Sequence, residues 1–100
     1  MGLPVIFTPQ AQADLKQIVR FNRRDSPDRA RAFGLALVDE ALSLTSFPER
    51  ARVVPEFNEP TVREIVHGSY RIIHEVLREP AGVYVLRFCH AARGEPEIEG

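Results

Sequence analysis

Tryptophan is absent from the 100 residues, Cys89 is the sole cysteine, Lys16 is the sole lysine, and uninterrupted apolar runs never exceed a few positions. A lone cysteine rules out an intrachain disulfide and suits a reducing compartment, so a cytoplasmic location is expected. Nothing approaches membrane-spanning length, and the opening "MGLPVIF" has no basic leader and too short an apolar run for a secretory signal. Ile6 stands where a myristoylation signal after Gly2 would require Ser or Thr. No membrane association is expected. The net charge of -1 and a pI near 6.3 argue against nonspecific adhesion to polyphosphate, since dedicated nucleic-acid domains run clearly basic.

What is present suits one globular domain over residues 1–100, with 44% apolar and 27% charged residues. A chain this short buries only part of its apolar surface, so a partner that covers the remainder is a physical expectation. Glu95, Glu97 and Glu99 give an acidic tail over about 94–100.

Residues Val5 to Thr8 suit a short strand. Thr8-Pro9 then supplies an N-cap oxygen and a proline at the first helical position. Ala11, Leu15, Ile18 and Val19 recur at helical spacing to about Asn22, which leaves Gln12, Asp14, Lys16 and Arg20 for the outer side. Ser26-Pro27-Asp28 repeats the start signal, and Ala30, Phe33, Leu37, Ala41 and Leu44 form the stripe of a second helix that runs to about Ser46. The proline-containing stretch from Pro48 to Pro60 reads as a loop with a short extended piece at Arg52 to Val54. Beyond it the period changes to two. Val62–His67 and Tyr70–Leu77 read as a hairpin around Gly68-Ser69, and after a turn at Glu79 to Gly82 the last strand is Val83–His90. The fold class expected is α+β, in the order β-α-α-β-β-β, with a helical hairpin on a mainly antiparallel meander sheet.

A two-residue turn pairs His67 with Tyr70, Ile65 with Ile72 and Arg63 with His74, and paired residues share a face. That face carries the greater apolar bulk, so it is expected under the helices. Glu64, Val66, Arg71, Ile73 and Glu75 are expected on an open face. Tyr70 is expected as a core aromatic with its hydroxyl at the edge, and His67 as a turn or packing residue. Cys89 is expected as a small apolar group in a central strand. No pair of histidines or cysteine has ligand spacing, so no metal and no other cofactor is expected. The arginines around the helix turn, Arg20, Arg23, Arg24, Arg29 and Arg31, form a solvated face by default, one that suits an acidic protein target.

The segments "FTPQAQADLKQI", "FPERARVVPEF", "VREIVHGSYRIIHEV" and "VYVLRFCHAARG" together resemble the RelE/ParE superfamily of toxins from type II toxin–antitoxin (plasmid stabilisation) systems. The "GSYRI" turn and the H-x-x-R of His90 to Arg93 are the most specific pieces, and the likeness lies closer to the ParE branch. It implies a toxin neutralised by a cognate antitoxin, in a hetero-oligomer with it, and two candidate activities. ParE-like members bind and block DNA gyrase. RelE-like members cleave mRNA on the ribosome as metal-independent endoribonucleases. By resemblance Arg71 and Arg93 are the target-binding or, in a nuclease, catalytic arginines, expected to form one cationic patch at the open face, and His90 is the third catalytic candidate. Arg23 and Arg24 join the target-binding set from the helix-turn cluster. His74 occupies a position where the family often has tyrosine, which implies an aromatic packing slot. Nuclease members usually carry lysines on the strand before the turn, where this chain has Arg63 and Glu64. They often have a downstream tyrosine too, and none follows Arg93 here. The binder is therefore preferred over the enzyme.

Overall fold

The computed structural model describes residues 2–46, 51–54 and 59–91. Strand β1 (Val5–Phe7) leads into helix α1 (Pro9–Asn22), which a short turn joins to α2 (Pro27–Leu42), followed by a 3-10 turn at Ser43–Thr45. Strands β2 (Arg52–Val53), β3 (Val62–His67), β4 (Tyr70–Arg78) and β5 (Ala81–His90) complete a five-stranded sheet in the order β1-β5-β4-β3-β2. Only β1 pairs in parallel, with β5; the other neighbours are antiparallel. The expected architecture of two helices on a mainly antiparallel sheet is therefore present, with Arg52–Val53 added as a short edge strand. No helix among the described residues is long and apolar enough to cross a membrane.

Both helices start as their sequences dictate. The Thr8 hydroxyl accepts from the Ala11 amide and donates to the Val85 carbonyl at 2.9 Å, so one side chain caps α1 and fastens it to β5. Ser26 accepts from the Arg29 amide, with Asp28 in the first turn of α2. The two helices approach closely at Gly34, where an added Cβ would lie 2.7 Å from Cγ2 of Val19. A side chain at that position would push the hairpin apart.

The β3–β4 register is the expected one: His67 pairs with Tyr70, Ile65 with Ile72 and Arg63 with His74, around Gly68 at φ 60. Under the helices Ile72, Val85 and Phe88 meet Ala11, Ile18, Leu37 and Ala41, with Ile65, Tyr70 and Phe33 at the margin. The face assignment for Ile65, Ile72 and Tyr70 thus holds.

The other face differs from the expectation. Val54, Val62 and Ile73 form a second buried cluster against Leu86 and Cys89, and Glu64 and Arg71 are buried beside it. Arg71 is 7% exposed, not on an open face. The chain before β3 contributes the missing apolar bulk, since Ala51 and Val54 flank the short β2 and are both buried. A second correction concerns Asp14. It lies three residues after Ala11 and four before Ile18, which puts it in the buried stripe of α1 rather than on the outer side.

Candidate functional site: the placement of the arginines

Two carboxylates organise the sheet cations. Glu64 on β3 is directly opposite Arg52 on β2 and diagonal to Arg71 on β4. Its Oε2 accepts from Arg52 Nε at 2.5 Å, and its Oε1 accepts from Arg71 Nε. The Glu64 side chain is fully buried and that of Arg71 nearly so, whereas the Arg52 side chain is 69% exposed. One carboxylate therefore ties three adjacent strands, with one arginine inside and one at the rim.

The second carboxylate is Asp14 on α1. At β5 a bulge inserts Leu86, since Ile73 pairs with Arg87 while His74 pairs with Val85. Arg87 then reaches α1, where its Nε and Nη2 donate to Asp14 at 2.6 and 3.0 Å. The Phe88 amide and Gln10 also donate to the same carboxylate. Arg63 is likewise engaged, with Nη1 donating to the Ala51 carbonyl at 2.9 Å.

The sequence-derived candidates separate in space. Arg71 is held within the sheet by Glu64. His90 ends β5, half-buried, with its ring edge-on to Tyr70 at 5.2 Å between centroids. Tyr70 continues to Phe33 at 5.5 Å, and Phe33 to His67 at 6.1 Å, so the two histidines flank one aromatic row at the hairpin end of the sheet. His67 is thus a packing residue. His74 is fully buried, as an aromatic slot would be. Arg23 and Arg24 are exposed where α1 ends, and Arg24 lies over the ring of Phe21 at 5.7 Å; Phe21 itself is largely exposed. Arg93, the expected partner of Arg71 in a cationic patch, lies outside the described residues.

Cys89 packs on the second cluster, and burial pushes its thiol pKa up, with Arg71 and Arg87 pulling the other way. A neutral, weakly nucleophilic thiol follows, in keeping with its expected apolar role. Among the described residues no three His, Cys, Asp or Glu side chains converge as a metal site would require.

The pairing of Arg71 with Glu64 follows one of the two partners the sequence offers for it, Glu64 and Glu75, whereas the role of Asp14 was missed by sequence reasoning. The available signals were an acid inside the α1 apolar stripe and a single arginine, Arg87, inside the largely apolar β5.

A helical hairpin packed on a five-stranded mixed sheet, with its sheet arginines tied to buried carboxylates, defines a small α+β protein of the RelE/ParE fold. Several solved structures share it, among them the following three. The chromosomal ParDE TA system from P. aeruginosa aligns with TM-score 0.75 and 19% identity over 88% of this chain and 95% of that one. The toxin–antitoxin complex RelBE2 from Mycobacterium tuberculosis gives 0.67 and 25% identity over 90% and 99%. A double arginine-to-alanine mutant of the E. coli toxin RelE in the free state gives 0.69 and 18% over 94% and 88%. No curated protein matches the chain at the level of sequence. The family model for the ParE toxin of the type II toxin–antitoxin system parDE matches residues 5–94. The chain belongs to that family and is a type II toxin of the ParE/RelE superfamily.

Proposed function

We propose that the chain inhibits DNA gyrase by binding it as a protein, and that a cognate antitoxin holds it inactive in a hetero-oligomer. The observation that carries the choice of a binder over a nuclease is the environment of Arg71. Metal-independent RNA cleavage places a cation against the crowded phosphate, with a base for the 2′-hydroxyl and an acid for the leaving oxygen. Arg71 is 7% exposed and its Nε is committed to Glu64. Drawing it out to a phosphate would strip a buried carboxylate of its inner partner, at a cost of several kcal/mol.

In this reading the target meets the exposed arginines at the helix turn, Arg23 and Arg24, together with Arg93. Arg71 then contributes through the integrity of the sheet. The antitoxin tail is expected to be disordered when free, to fold on the helical hairpin and to add a strand at an open edge, of which β2 is one. A neighbouring reading frame of roughly 80 residues with a repressor-type start is the accompanying expectation.

Ribosome-dependent mRNA cleavage is the competing activity, with His90 beside Tyr70 as its nearest acid–base pair. Induction with parallel measurement of DNA supercoiling, the SOS response and transcript cleavage separates the two. Loss of supercoiling with SOS induction supports the binder; codon-positioned cuts in translated messages without DNA damage overturn it. Full toxicity in a doubly substituted Arg23→Ala, Arg24→Ala chain of unchanged melting temperature would remove the helix turn from the target surface.

A further inference from the structure

Arg52 and Arg71 converge on one point. Strand pairing sets Arg52 directly opposite Glu64, and the diagonal brings Arg71 to it from β4. Each guanidinium donates its Nε to a different oxygen of the same carboxylate, Arg52 to Oε2 at 2.5 Å and Arg71 to Oε1. Two guanidinium groups on adjoining oxygens are an arrangement that suits a bound phosphate or carboxylate. Here the anion between them is part of the chain. Glu64 is 1% exposed and lies beside the apolar cluster of Val62 and Ile73, so solvent screens the inner charges weakly. On the Arg52 side the arrangement opens to water, since that side chain is 69% exposed.

We propose that Glu64 serves as an internal anion that occupies the clamp formed by Arg52 and Arg71 and so denies this face of the sheet to phosphodiesters. An RNA phosphate and the Glu64 carboxylate need the same N–H donors. The carboxylate is already in place, whereas a phosphate loses translational freedom on binding and must leave the displaced carboxylate buried without a partner. Glu64 also cancels one of the two positive charges that would attract a polyanion. A carboxamide of the same shape keeps an oxygen that accepts from one arginine but carries no charge to hold the other. Glu64 is therefore a specificity-determining residue: its charge, not its shape, separates a face that ignores RNA from one that binds it. The inference rests on the reading of the chain as a protein binder and deepens it by naming the residue that excludes RNA.

The test compares the native full chain with Glu64→Gln for binding of a labelled oligouridylate, followed by fluorescence anisotropy. The native chain is expected to bind weakly and Glu64→Gln roughly tenfold or more tighter, with the slope of log affinity against log salt steeper by about 0.7 for each arginine released. Asp39→Asn, on the exposed side of α2, makes the same change in net charge away from the clamp and should leave the affinity near native. Arg52→Gln added to Glu64→Gln should remove most of the gain. Equal affinity in the native and Glu64→Gln chains at matched circular dichroism overturns the inference. So does an equal gain in Asp39→Asn, or a full gain that survives Arg52→Gln. If Glu64→Gln is largely unfolded in chloride buffer, inorganic phosphate at matched ionic strength reads the same site by linkage. It should then raise the melting temperature of the variant well above its effect on the native chain, and an equal rise in both overturns the inference. Supercoiling and transcript cleavage by the native chain are scored separately. Transcript cleavage by the native chain ends the binder reading whatever Glu64→Gln does. A chain that blocks supercoiling, but whose Glu64→Gln variant gains no RNA affinity, ends this inference alone.

Discussion

Both faces of the sheet hold buried residues, but they are buried by different chemistry. Beneath the helices, Ile72, Val85 and Phe88 pack on Ala11, Ile18 and Leu37, and the carboxylate of that layer, Asp14, sits near its margin with an Arg87 side chain 21% exposed. On the opposite face only Val54, Val62 and Ile73 form the apolar cluster, and the fully buried Glu64 with the nearly buried Arg71 fills space that the first face gives to hydrocarbon. The first face gains its stability from apolar area removed from water. The second depends on a charge pair whose value lies in not being broken, because the desolvation cost of either member alone exceeds what the pair contributes. Arginines that resemble functional ones can therefore have opposite fates according to the carboxylate beside them.

The comparison breaks most visibly at Glu64. Glu64→Ala leaves Arg71 buried without its carboxylate and should cost about 3–5 kcal/mol, read as a large drop in the midpoint of chemical denaturation. Adding leucine at both positions, Glu64→Leu with Arg71→Leu, should recover most of that loss, because a matched apolar pair has no charge to desolvate. A double variant no more stable than the single would show that the pair contributes more than mutual compensation. Asp14→Ala should cost less, about 1–3 kcal/mol, since the freed Arg87 is partly hydrated already. A loss at Asp14 equal to that at Glu64 would erase the distinction between the faces.

Smaller effects sharpen it. Thr8→Ala removes the α1 cap and the link to Val85, and should lower stability by about 1 kcal/mol in thermal melts. The smallest effect belongs to Cys89. Burial raises its thiol pKa, so the unfolded chain ionises first as pH rises. Its contribution is intact below the ordinary thiol value of 9.0 and is lost as pH rises above that value through the raised folded one. Denaturation of the native chain and of Cys89→Ala between neutral and alkaline pH should therefore show the steeper alkaline decline in the native chain.

Most of the backbone was legible in local signals. Thr8-Pro9 and Ser26-Pro27 start helices where their N-cap oxygens say they should, and Gly68-Ser69 sets a register that pairs Ile65 with Ile72. Half of the face assignment followed from that register. The other half failed because part of what packs on that face comes from another part of the chain, where Val54 joins Val62 and Ile73 only when β2 pairs with β3. For the same reason the candidate cationic patch was only partly legible. Strand alternation places Arg71 opposite Val66, but the diagonal contact to Glu64 depends on side-chain reach across the sheet.

The sequence by itself determined the order of elements, the two capped helices, the hairpin register and membership of the toxin family, because each depends on residues close in the chain or on a pattern spread along all of it. Tertiary structure alone decided which arginines remain available. Arg52 and Arg87 find carboxylates on a neighbouring strand and on α1, at sequence separations that no local rule spans, while Lys16 and Arg20 lie on a helix whose single acid is turned inward. Charge is written in the sequence, but its pairing is set by which strands and helices become neighbours, and that pairing separates the cations that hold the fold from those left exposed.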